Sequence, residues 1–121
     1  NPLACAASLA VLETMREEGI LEHVVNVSRI LFNRLETLRK EYPQVTEIRG
    51  RGLMVGIEVQ GPSETCVETP AKFICSRCAD KGLLVNAVTD TTLRLLPPLI
   101  IGEEEIEQAV DVIEQVICAV Y

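Results

Sequence analysis

The sequence predicts an α+β fold: a small, mostly antiparallel sheet of three to four strands with helices packed on one face. Three observations predict it. Apolar residues recur every three or four positions as far as Leu38, alternate with period two from Leu53 to Val59, and return to helical spacing in the last eighteen residues. The period-two stretches are short, and some are joined by tight connections. The resulting order is helix, helix, strands, helix, two strands, helix, with no internal repeat and no low-complexity stretch, which is the arrangement of a sheet with helices segregated to one side.

Each element has its own signals. Asn1 is a good N-cap and Pro2 suits the first helical position, so the first helix opens there; Leu3, Ala7, Ala10, Val11 and Met15 keep its spacing, and Gly19 is placed to end it. Val24, Val27, Leu31, Leu35 and Leu38 form the apolar stripe of a second helix. Arg39 and Lys40 face its negative dipole end, and Pro43 stops it. Val45-Thr46-Glu47-Ile48 reads as a short strand or strand extension. The glycines of Arg49-Gly50-Arg51-Gly52 suggest a bulge or sharp bend before the strand Leu53–Val59. Residues Gly61–Glu68 are polar and read as a loop. Thr69-Pro70 opens a third helix with Ala71, Ile74, Cys75 and Cys78 on its apolar face, ended by Gly82. Leu83–Ala87 is a short strand, Thr89–Thr92 a turn, and Leu93–Leu96 another strand closed by Pro97-Pro98. Gly102 precedes three glutamates that favour the positive end of a last helix, whose buried face is Ile106, Ala109, Val110, Ile113, Val116, Ile117 and Val120.

The composition excludes several classes of function. At 121 residues the chain fits one domain, and 48% hydrophobic residues are enough for a core built from Leu, Ile, Val and Ala, since there is no tryptophan. A net charge of −7 argues against nucleic acid, which needs clustered cations, and against an anionic membrane surface. The longest apolar run, around Leu93–Ile101, is broken by Arg94, Pro97 and Pro98, so no span is expected; no signal peptide is visible either. Five cysteines at irregular spacing make a poor disulfide framework and suggest reduced thiols in the cytoplasm. A start at Asn1 reads as a chain cut from something longer.

Few side chains invite chemistry. Cys75-x-x-Cys78 lies mid-helix on the apolar face, so core packing outweighs a redox pair, and zinc lacks further ligands. His23 reads as a solvated helix-end residue. Ser8, Ser28, Ser63 and Ser76 have no nucleophile-elbow context. Arg49-Gly50-Arg51-Gly52 could cradle a phosphate, but no helix begins there, and a structural bulge is the stronger reading. Lys40, Lys72 and Lys81 lie on polar faces or helix ends, unlike a desolvated Schiff-base lysine. Arg94 stands out, because it interrupts an apolar strand. Such a guanidinium usually has a carboxylate partner, which could be an internal Asp or Glu or a ligand.

Four segments together resemble one family: Asn1–Ala7, Ile48–Glu58, Leu83–Asn86, and Leu93–Leu99 with the Glu-rich helix start that follows. In this order and spacing they resemble the class III pyridoxal-phosphate aminotransferases, closest in pattern to acetylornithine aminotransferase, with ornithine and 4-aminobutyrate aminotransferases as relatives. The resemblance covers essentially the whole chain. It implies that residues 1–121 are a single C-terminal small domain and that the large domain of the same enzyme is absent. It also implies a homodimeric cytoplasmic enzyme that moves an amino group from N-acetylornithine to 2-oxoglutarate in arginine biosynthesis. Arg94 then matches the arginine that binds a substrate carboxylate. The cofactor lysine, the ring-stacking aromatic, the Asp at the ring nitrogen and the phosphate-binding threonine would all lie upstream of Asn1. The implication is that this chain supplies no catalytic or cofactor-binding residue, binds no pyridoxal phosphate alone and is silent alone. Asn1 is assigned only its cap, and Gly102 departs from the threonine often found there. The alternative is a stand-alone binding or dimerisation module that kept the fold and lost the chemistry.

Overall fold

The computed structural model describes residues 1–61 and 69–120, with Val120 described only as part of its helix. Four helices and four strands follow in the order α1 (Pro2–Glu17), α2 (Ile20–Glu41), β1 (Val45–Arg51), β2 (Met54–Val59), α3 (Pro70–Asp80), β3 (Asn86–Ala87), β4 (Thr92–Leu95) and α4 (Glu103–Val120). The sheet order is β1-β2-β4-β3, and every neighbouring pair is antiparallel. This is the predicted α+β architecture. Most of the sequence-predicted loop, residues 62–68, lies outside the described residues, as do Ser63 and Cys66.

One face of the sheet carries the core. Val55, Ile57 and Val59 of β2 and Leu93 and Leu95 of β4 alternate into it, as a half-covered strand requires. They meet Val27, Leu31, Leu35 and Leu38 of α2, Ala71, Ile74 and Cys78 of α3, and Ile106, Val110, Ile113, Val116 and Ile117 of α4. Ala109 is half-buried. Arg34 fastens α2 to α4, with its Nε 2.5 Å from Glu107 and an Nη 2.7 Å from Asp111. The first helix behaves differently. It packs against α2, buries no residue, and leaves Leu3, Leu9, Val11 and Leu12 exposed.

The local signals act where the sequence placed them, with four corrections. Asn1 Oδ1 accepts the Leu3 N–H at 3.0 Å, an N-cap as expected. Gly82 ends α3 in a left-handed conformation, with its N–H on Ala79 O and the Leu83 N–H on Cys78 O, both at 2.9 Å, which is the Schellman pattern. The first correction concerns residues 49–52. Of the two readings, bulge or sharp bend, the bend holds and the bulge does not: β1 runs through Arg51, and the turn is Gly52-Leu53, with φ +59° at Gly52. Glycine at the first of two loop positions suits a tight hairpin. The bulge lies instead between Val45 and Glu47, where one extra residue lets Val45 and Ile48 both face the core. Second, the strand expected at Leu83–Ala87 is paired only at Asn86–Ala87, because Leu83 still belongs to the helix cap. Third, β4 begins one residue early, at Thr92. Fourth, Thr69 precedes α3 without a side-chain cap bond.

Candidate functional site

The uncovered face of the sheet collects the polar side chains that alternate with the core. The register aligns Arg49 with Gly56, Gly56 with Arg94, and Arg94 with Asn86, so these four make one row across all four strands. Glu47, Glu58 and Thr92 form the next row. Gly56 has no side chain, and the Arg49 side chain lies over it; a Cβ built there would meet Arg49 Cγ at 3.6 Å and Thr92 Cγ2 at 3.7 Å.

The second row is tightly bonded. Glu47 and Glu58 face each other directly, a repulsive pairing for like charges. Arg49 bridges them, with one Nη 3.1 Å from Glu47 and the other 3.0 Å from Glu58. Thr92 Oγ1 donates to Glu58 Oε2 at 2.8 Å, and Thr91 Oγ1 donates to Glu58 Oε1. Thr89 closes the cluster against Thr92 at 2.6 Å. The hydrogen bonds from Thr91 and Thr92, with that from Arg49, hold the Glu58 carboxyl below the usual carboxylate range.

Arg94 is left out of this network. It is exposed between the buried Leu93 and Leu95. Among the described residues no carboxylate lies within ion-pair distance of it and no side chain or carbonyl bonds it. Met54 and Leu96, both exposed, follow the same alternation just beyond the Val55–Leu95 pair. A guanidinium unpaired among the described residues offers a planar fork for one carboxylate.

The other candidates resolve as structure. Cys78 is fully buried and Cys75 half-buried; burial pushes the Cys78 thiol up to about 11 and raises Cys75 as well, the opposite of an activated pair. His23 is not a solvated helix end. It is half-buried, and Nε2–H donates to the Ile101 carbonyl at 2.8 Å, tying the start of α2 to the segment before α4. Arg49 is committed to Glu47 and Glu58 and so does not cradle a phosphate. Among the described residues no group of His, Cys, Asp and Glu could hold a metal ion, and no helix is long and apolar enough to cross a membrane.

The profile of the class-III aminotransferases matches residues 1–117. The chain belongs to that family. As a class-III aminotransferase it is 43% identical over 97% of its length to acetylornithine aminotransferase of Caldanaerobacter subterraneus subsp. tengcongensis, and 33% identical over 99% to ornithine aminotransferase of Geobacillus sp.. It spans about 28% of the length of each of these relatives. The crystal structure of acetylornithine aminotransferase from Elizabethkingia anophelis superimposes with a TM-score of 0.88 at 29% identity, covering 98% of this chain and 29% of that one.

Family membership implies pyridoxal phosphate in a complete enzyme, and the residues present here do not fit it. A lysine that captures the cofactor aldehyde must be desolvated. Lys40, Lys72 and Lys81 are all exposed, and Lys81 Nζ donates to Gln115 at 3.1 Å.

Sequence reasoning singled out Arg94 and passed over the Glu58 cluster. Its only sequence signal is parity: Arg49, Glu58, Thr92 and Arg94 each alternate with core positions. Which of them meet depends on register.

Proposed function

We propose that this chain is the small domain of a pyridoxal-phosphate-dependent transaminase, and that Arg94 receives a substrate carboxylate in its active site. The observation that carries the proposal is Arg94 itself, an exposed arginine without a carboxylate partner among the described residues, set between Gly56 and Asn86 on the open face. Two N–H donors of its planar fork would bind the two oxygens of one carboxylate. Binding there would fix the orientation of the amino acid or 2-oxoacid and hold it for reaction elsewhere.

The relatives favour an ornithine-type amino donor, with N-acetylornithine and 2-oxoglutarate as the assigned pair and arginine biosynthesis as the setting. The cofactor belongs to a large domain upstream, and the enzyme works as a cytoplasmic homodimer. The share of the relatives that this chain spans supports the missing domain, and so does α1, whose apolar Leu3, Leu9, Val11 and Leu12 are exposed. Covering Leu3, Leu9 and Leu12 would bury surface that water now meets.

On this reading the isolated chain contributes substrate recognition only. Purified and mixed with pyridoxal phosphate, N-acetylornithine and 2-oxoglutarate, it should form no covalent lysine adduct and produce no glutamate. Turnover that disappears when Lys40, Lys72 or Lys81 is replaced would overturn the assignment.

A further inference from the structure

Arg94 has no carboxylate partner among the described residues, yet a carboxylate stands close by. Glu58 is opposite Thr92, and Arg94 is opposite Gly56, so Glu58 and Arg94 are diagonal neighbours on the same face. Diagonal positions lie roughly 7–8 Å apart, within reach of long side chains. An arginine and a glutamate so placed would ordinarily pair. Here Glu58 is turned the other way: one oxygen takes Thr91, the other takes Thr92 and Arg49. Thr92 is itself held by Thr89, both through its hydroxyl and through its backbone N–H at 3.0 Å, and Arg49 is anchored at its other end by Glu47. The missing side chain at Gly56 gives Arg49 the path to reach Glu58 across the strand.

We propose that Arg49, Thr91 and Thr92 are positioning residues that hold Glu58 away from Arg94, and so keep the Arg94 guanidinium open for a carboxylate ligand. The inference rests on the carboxylate-binding reading of Arg94 given above. Its physical content is competition. A released Glu58 is an internal carboxylate tethered beside Arg94, and any ligand must displace it. Exposed arginine–carboxylate pairs contribute up to about 1 kcal/mol, so release weakens ligand binding by up to about fivefold.

The test uses the whole 121-residue chain with nitrogen-15-labelled arginine, and reads the Nε–Hε signal of Arg94 by NMR, assigned with Arg94→Lys. The variants are Arg49→Gln, Thr91→Val and the two combined, each also made with Glu58→Gln. The backbone spectrum verifies that each is folded, and the two single variants perturb the cluster independently. Without ligand, Arg49→Gln, Thr91→Val or their combination should shift the Arg94 signal and slow its exchange with water, and adding Glu58→Gln should restore it. Titration with glutarate should give an affinity about two- to fivefold weaker in the combined variant than in the parent, and recovered once Glu58→Gln is added. A merely structural role for the cluster predicts no rescue by Glu58→Gln. An Arg94 signal that stays unchanged in every folded variant overturns the proposal. If the signal responds to Glu58 as described but glutarate perturbs it in no variant, the holding of Glu58 stands and the carboxylate reading of Arg94 falls.

Discussion

Leu93 and Arg94 are adjacent in β4, and they occupy different worlds. Leu93 is fully buried among side chains of α2, α3 and α4, while Arg94 is exposed on a face that none of the described helices covers. The contrast extends to the whole sheet. The covered face is uniformly aliphatic, packed by elements from distant parts of the sequence. The open face is a charged network beside an arginine that is unpaired among the described residues. The covered face holds the core, and the open face holds the polar cluster around Glu58 and Arg94. The two helices at the N-terminus repeat the lesson. The second buries Ile20, Val27, Leu31, Leu35 and Leu38, and the first buries nothing.

That contrast can be broken by substitution, and the largest effect should come from the covered face. Ile57→Ala removes a fully buried side chain and should cost about 2–5 kcal/mol in a denaturant titration. Gly50→Ala should cost somewhat less, about 1–3 kcal/mol, although the position is exposed. Its φ is +152°, and a Cβ would stand 2.1 Å from the Met54 carbonyl oxygen. Equal stability of the Gly50→Ala variant and the parent would contradict the hairpin geometry.

The open face should answer to pH rather than to packing. The Glu58 carboxyl sits below its ordinary value in the fold, so the folded chain takes up that proton less readily than the unfolded chain does. Its stabilising contribution is therefore present above the unfolded value of about 4.3 and lost as pH falls through the lower folded value. Glu58→Gln should flatten the acid limb of the stability curve and leave the neutral-to-alkaline limb parallel to the parent. The smallest effect belongs to Arg94→Ala. With no partner to lose, it should change stability by no more than about 0.5 kcal/mol, and a loss above 2 kcal/mol by thermal denaturation would show that Arg94 supports the fold after all.

The covered face was legible in the sequence, because burial imposes a period. The stripe of α2 from Val27 to Leu38 and the alternation from Val55 to Val59 each identify an element and its inward side. Caps were legible where one residue type does one job, as at Asn1 and Gly82. The open face was harder to read. Both Gly50 and Gly52 could have made the turn, and only the structure places it at Gly52-Leu53. Moving that turn would shift which residues face Glu58, so the Arg49–Glu58–Thr92 cluster has no signature in composition or spacing. His23 was misread for a similar reason: its partner is the backbone carbonyl of Ile101, and a carbonyl is present at every position. Arg94 was found because a charge in an apolar strand violates the pattern around it.

Arg94, as proposed, serves a carboxylate in a site completed by a large domain. The direct measurement joins this chain to the large domain of the Caldanaerobacter acetylornithine aminotransferase in place of that enzyme's matching segment. Amino transfer from N-acetylornithine to 2-oxoglutarate is then followed with and without Arg94→Ala. The chimera should be cofactor-loaded and active, and Arg94→Ala should raise KM for 2-oxoglutarate about thirtyfold or more, the cost of about 2 kcal/mol for removing one partner of a hydrogen-bonded charge pair. A loaded, active chimera whose KM and kcat are the same with alanine at that position would contradict it.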